Sequence, residues 1–115
     1  MTSAVTTHVL DSAHGRPAAG VPVRLERLSD GGSDVIAVLA KSHTDADGRA
    51  RDLGPGTAEA GTYRLVLDTG AYFAATGQRG FYPEVAVTFA LPGPERHCHV
   101  PVLLSPYAYS TYRGS

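Results

Sequence analysis

Polar and apolar residues alternate with a period of two over short stretches of the chain, and turn residues separate those stretches. In a strand, that period sends successive side chains to opposite faces. Residues 4–10 form the first such stretch, with Val5, Thr7 and Val9 on one face and Thr6, His8 and Leu10 on the other. Residues 11–20, rich in Asp, Ser, Gly and Pro, predict a loop. Residues 21–28 alternate again, with Val21, Val23 and Leu25 inward and Arg24 and Glu26 outward. A hairpin turn at 29–33 carries Gly31–Gly32 and leads into a third strand over 34–42. Asp45–Ala46–Asp47–Gly48 predicts a tight turn whose glycine takes a positive φ, followed by a short edge strand over 49–53.

A loop over 54–61 precedes the clearest strand, 62–68, where Tyr63, Leu65 and Leu67 oppose Arg64 and Val66. Thr69 is expected to cap a short helix over 70–76, ended by Gly77. A loop at 80–83, a strand over 84–90 and a Pro/Gly turn over 91–96 follow, and 97–104 with 107–112 make a closing hairpin. Strands recurring about every 8–12 residues between turn signals predict one all-β sandwich domain over residues 1–115.

Composition narrows the function classes. The 115 residues have a formal net charge of −1, which gives no electrostatic basis for binding nucleic acid or an anionic membrane. No apolar run reaches the length of a bilayer span, and residues 1–7 lack the basic and apolar regions of a secretion signal. Together with a single cysteine, Cys98, this leads to an expectation of a cytoplasmic protein. Neither a nucleophile elbow nor a phosphate or dinucleotide loop is present.

The candidate chemistry lies late in the chain. His97, His99, Pro101 and Leu103 share one strand face, and Cys98, Val100, Val102 and Leu104 the core-directed other. Ser110 and Tyr112 share a face in the last strand. If these strands pair with the first in one sheet, His8, His99 and the hydroxyls converge on its outer surface. With Leu10, Leu103 and aromatics there too, that surface predicts contacts between subunits. Cys98 is expected to be a buried structural thiol, and His14 and His43, near turns, solvated. From local context alone Arg49 is an edge-strand charge. Three imidazoles, His8, His97 and His99, match the ligand count of a catalytic zinc, although no carboxylate is evidently placed to orient them.

The tail Ser110–Thr111–Tyr112–Arg113–Gly114–Ser115 resembles the C-terminal signature of the 5-hydroxyisourate hydrolases, transthyretin-related enzymes of urate degradation. His8–Val9–Leu10–Asp11 with Gly15–Arg16–Pro17–Ala18, the 44–49 turn, Phe81–Tyr82–Pro83–Glu84 and His97–Cys98–His99–Val100–Pro101 extend the likeness along nearly the whole chain. The resemblance implies a transthyretin-like (prealbumin-like) two-sheet β-sandwich with one short helix. It also implies a homotetramer with active sites in a channel at the dimer–dimer interface.

It further implies a catalytic set of His8, Arg49 and His99, all touching substrate, which turns Arg49 from a bland charge into a functional one. Ser110, Tyr112, Arg113, Gly114 and Ser115 would line the pocket. Transthyretin itself, a hormone carrier, differs at the positions of His8, Arg49 and His99 and lacks the Arg-Gly-Ser end. The reaction implied is hydrolytic opening of 5-hydroxyisourate between N1 and C6, giving 2-oxo-4-hydroxy-4-carboxy-5-ureidoimidazoline. His8 is expected to activate water, His99 to assist it, and Arg49 to hold substrate and oxyanion, with no metal or organic cofactor.

Overall fold

The alternating stretches form two sheets whose apolar faces meet. The computed structural model describes residues 3–94 and 97–114; the expected turn at 91–96 ends beyond these limits, and Ser115 lies outside them. The strands are β1 (Val5–Asp11), β2 (Arg16–Pro17), β3 (Pro22–Leu28), β4 (Val35–His43), β5 (Arg49–Ala50), β6 (Gly61–Leu67), β7 (Val85–Leu91), β8 (Cys98–Ser105) and β9 (Ala108–Thr111). Helix α1 (Thr69–Ala75) follows β6. One sheet runs β2–β1–β8–β9 with β5 also paired to β1, and the other runs β4–β3–β6–β7.

The pairing that matters most for the site is β1 with β8. These strands run parallel, from Val5 opposite Cys98 to Asp11 opposite Leu104. Val5, Val9, Val100, Val102 and Leu104 thereby form one inner face, and Val23, Leu25, Tyr63, Leu65 and Leu67 the other. Burying each aliphatic side chain stabilises the sandwich by about 1.5–3 kcal/mol. Thr7 occupies an inner position without an orphaned hydroxyl, because it donates to the Val100 carbonyl at 2.6 Å. Cys98 is buried in the same core, as its alternation predicted.

Four local expectations are corrected. The helix starts one residue early, at Thr69, and its cap is Asp68, whose carboxylate accepts from the Ala71 amide at 3.0 Å. Thr69 is instead fully buried, its hydroxyl donating to the Tyr82 carbonyl at 2.7 Å. The loop over 11–20 contains the two-residue strand β2, recruited because Leu10 and Asp11 of β1 offer a free edge to Pro17 and Arg16. The edge strand expected over 49–53 shrinks to Arg49–Ala50. The last strand, expected over 107–112, is shorter, Ala108–Thr111.

The turn before β5 is built for close approach. Gly48 has φ +78°, and a Cβ there would lie 2.4 Å from the Val9 carbonyl oxygen. The Val9 amide donates to the Gly48 carbonyl at 2.7 Å. The Asp45 carboxylate accepts from the amides of Asp47 at 2.9 Å and Arg49 at 3.0 Å. This turn thus presses β5 against β1.

Candidate active site

Strand register alone gathers the central residues. On the outer face of the β1 sheet, His8 lies opposite Arg49 across the antiparallel β1–β5 pair. On the other side of β1, Thr6 lies opposite His99 in the parallel β1–β8 pair. His8, Arg49 and His99 therefore reach one surface from three strands, all of them half-buried. His8 and His99 share this face, as alternation implied for them, and Arg49, read from local context as an edge charge, joins them through register.

Each ring has a defined environment. His8 Nε2 lies 2.9 Å from the carbonyl oxygen of Asp47. A carbonyl only accepts, so His8 donates from Nε2 and its lone pair sits on Nδ1 when the ring is neutral. The Thr6 hydroxyl lies 2.8 Å from His99 Nδ1 and 3.0 Å from His97 Nε2. The His97 and His99 rings are nearly parallel, 6.5 Å between centroids and 18° between planes. Burial holds the His99 pKa below its ordinary value, and the charges of Arg49, His97 and His8 lower it further; hydrogen bonding to the Thr6 backbone opposes them. His99 is consequently a neutral imidazole near pH 7. Among the described residues, no three His, Cys, Asp or Glu side chains group closely enough to hold a metal ion, so His8, His97 and His99 do not form a ready zinc set.

The tail divides. Gly114 pairs with His99, donating its amide to the His99 carbonyl at 2.8 Å. A Cβ on Gly114 would lie 2.7 Å from His99 Cδ2. Ser110 lies opposite Leu103, on the His99 face but four residues along β8, roughly 13 Å away. Tyr112 and Arg113 line a cavity of about 220 Å³ at the open edge of the sandwich, with Val87, Phe89, Cys98 and Val100. The tail keeps the β8–β9 register beyond β9, since Gly114 opposite His99 continues the pairing of Ser110 with Leu103 and Thr111 with Val102.

Some participants escaped the sequence. Thr6 looked like an ordinary outward strand residue, and only register shows it beneath two imidazoles. The role of Asp47 is carried by its backbone, which no side-chain pattern reports. Asp11 is 1% exposed and accepts from Tyr72 Oη at 2.6 Å, from the His14 amide at 3.1 Å and from Gln78 Nε2 at 3.3 Å. His14, expected to be merely solvated, places Nδ1 3.1 Å from the Asp11 carboxylate while staying exposed.

Residues 5–114 match the model of the HIUase/Transthyretin family. The chain belongs to that family. A curated 5-hydroxyisourate hydrolase from Caulobacter vibrioides is 47% identical, covering 98% of this chain and 99% of the relative. Among solved structures, the family fold recurs in Klebsiella pneumoniae 5-hydroxyisourate hydrolase, with TM-score 0.83 and 36% identity over 96% of this chain and 98% of that one. Sea bream transthyretin, solved in complex with thyroxine, superposes with TM-score 0.85 at 30% identity, covering 96% of this chain and 93% of that one. The same sandwich thus occurs in a 5-hydroxyisourate hydrolase and in a transthyretin solved with thyroxine.

Proposed function

We propose that the protein hydrolyses 5-hydroxyisourate at the N1–C6 bond, on the face bearing His8, Arg49 and His99. The observation that carries this reading is the register that sets His8 beside Arg49 and Thr6 beside His99 on one strand. The full-length likeness to curated 5-hydroxyisourate hydrolases supports the choice of substrate.

Hydrolysis requires a base for the attacking water and donors for the oxyanion that forms on C6. His99 takes the water proton at Nε2, the ring nitrogen not engaged by Thr6. Its lowered pKa supports this assignment over the sequence-based choice of His8, because a ring held neutral is available as a base. His8 instead presents Nδ1 to a donor on the substrate, its other nitrogen being fixed on Asp47. Arg49 offers a planar, permanently charged fork to the purine-derived ring and its oxyanion. The product is a carboxylate and a ureido nitrogen, and the scheme uses only the chain's own side chains.

The active form in this reading is a homotetramer with sites at the dimer–dimer interface. Ser110, roughly 13 Å from His99 in its own chain, can serve the site if a second copy covers this face. The exposed Leu103 on β8 supports such coverage. Gly114 then floors the pocket beneath His99, and Tyr112 and Arg113 complete its wall at the junction between copies; Ser115, expected to bind substrate with them, lies outside the described residues. A cytoplasmic location belongs to the same reading, supported by the single reduced thiol of Cys98.

Fresh 5-hydroxyisourate, followed by ultraviolet absorbance, tests the reaction. Accelerated decay is expected, and decay at the spontaneous rate rejects the hydrolase assignment.

A further inference from the structure

Thr6 is 4% exposed although it points to the outer face of its sheet, because the His97 and His99 rings cover it. Its hydroxyl meets both rings, at 3.0 Å and 2.8 Å. A hydroxyl owns one proton and accepts others. It can donate to only one of the two nitrogens, so the other nitrogen must carry the proton that Thr6 accepts. The tautomers of His97 and His99 are therefore locked to one another through a single oxygen. Thr is suited to this place because its branched Cβ restricts χ1 and keeps the oxygen aimed.

We propose that Thr6 is a positioning residue that fixes the tautomer of His99 and links it to His97 as a proton relay. This rests on the hydrolase assignment above. In the resting state His99 Nδ1–H donates to Thr6 Oγ1, and Thr6 Oγ1–H donates to His97 Nε2. The His99 lone pair is thereby held on Nε2, toward the substrate. When Nε2 takes the proton of the attacking water, the Nδ1 proton passes to Oγ1 as the hydroxyl proton passes to His97 Nε2. One positive charge leaves the half-buried ring beside Arg49 and rests on exposed His97. When the tetrahedral intermediate collapses, the shift runs backward and His99 Nε2 delivers its proton to the departing ring nitrogen. The proton count balances at each stage, with water supplying the proton and N1 receiving it.

The burial of Thr6 and the exposure of His97 give the relay its direction. Arg49, His97 and His8 all act electrostatically on the His99 ring, so charge retained there is opposed from three sides. His97 is exposed, so a proton passed to it reaches the solvent side of the relay.

The test uses Thr6→Val, Thr6→Ser, His97→Gln and the Thr6→Val/His97→Gln double variant. Turnover of 5-hydroxyisourate is measured alongside ¹⁵N chemical shifts of the histidine rings. Thr6→Val is expected to lower kcat by about tenfold to a hundredfold with KM changed by less than about twofold. Thr6→Ser should recover most of that loss, and His97→Gln, at an exposed position that does not threaten folding, should reproduce it. The double variant should be no slower than Thr6→Val, because both changes cut one relay. In the wild type the His99 shifts should report a proton on Nδ1 and a bare Nε2, and Thr6→Val should mix the tautomers. Wild-type kcat in His97→Gln, or an Nε2-protonated His99 at rest, overturns the relay. A wild type without turnover rejects the hydrolase assignment instead, and the ring shifts still decide the Thr6 linkage.

Discussion

His8 and Arg49 face each other across the β1–β5 ladder, and the chain just before Arg49 grips the His8 ring: Asp47, two residues earlier, accepts from His8 Nε2 at 2.9 Å. One two-residue strand thus supplies a cation and, through its preceding turn, fixes a tautomer. The Asp45 carboxylate anchors this turn by accepting the amides of Asp47 and Arg49, and the hydrogen bond from the Arg49 amide foremost, with that from Asp47, holds its pKa below the ordinary value against desolvation.

Arg49 carries the electrostatic load of the proposed chemistry, so Arg49→Ala should lower kcat/KM by about 10²–10³-fold. Arg49→Lys keeps a charge but loses the planar fork and should recover only part of the loss. Melting temperature should stay close to wild type in both, since only the half-buried side chain changes. Near-wild-type turnover in Arg49→Ala removes this residue from the mechanism.

The pH profile follows from His99. Its pKa lies below the ordinary 6.5, from burial first and then from Arg49, His97 and His8. The proposed base is the neutral ring, so activity should be full above the folded-state pKa and fall only when the pH drops through it. The acid limb of kcat/KM, which reports the free enzyme, should therefore have its midpoint below 6.5. A midpoint at or above that value counts against His99 as the base.

Asp11 should govern acid stability. Burial pushes its carboxyl upward, but hydrogen bonds from Tyr72, His14 and Gln78 outweigh burial and leave the pKa below 3.8. Burial and the same contact push Tyr72 up to about 12. The folded-state pKa of Asp11 is depressed, so its stabilisation is present above the unfolded value and lost as pH falls through the folded one. Asp11→Asn should cost about 2 kcal/mol near neutral pH and flatten the stability loss below pH 3.8. Tyr72→Phe should cost about 1 kcal/mol, because the carboxylate keeps its other donors. Chemical denaturation across pH measures both, and an Asp11→Asn profile parallel to wild type would refute this role.

Much of the fold was legible because its strands carry their faces in a two-residue period. Val5, Val9, Val100, Val102 and Leu104 were assigned inward from that period, and they are buried. The convergence of His8 and His99 was legible for the same reason. Three kinds of information were not. Capping was misassigned because Asp68 and Thr69 are both good caps, and the choice depends on the Tyr82 carbonyl that engages Thr69 from a distant loop. The two-residue strand β2 was missed because Arg16 and Pro17 carry no alternation of their own and pair only through the edge that β1 offers. Thr6 went unnoticed because its meaning lies in strand register: one residue of slip between β1 and β8 would remove His99 from it.

Gly114 tests how tightly the tail is fitted to the site. Its amide binds the His99 carbonyl at 2.8 Å, and a Cβ would come within 2.7 Å of His99 Cδ2 and 3.1 Å of Pro101 Cγ. Both neighbours are hard to move, because proline is rigid and the His99 ring is held by Thr6 at 2.8 Å. An added methyl group must then tilt the imidazole or lift the tail off β8. Tilting spoils the aim of Nε2, and misplacing a catalytic group by about 1 Å can cost 10²-fold in rate. Gly114→Ala should therefore lower kcat by at least about tenfold while global stability falls by less than about 1 kcal/mol, since Gly114 joins the sheet through a single isolated bridge outside the named strands. The paired measurement is turnover beside thermal unfolding. Unchanged turnover would mean that the tail accommodates a side chain without disturbing His99, and the proposed floor beneath the base would have to be abandoned.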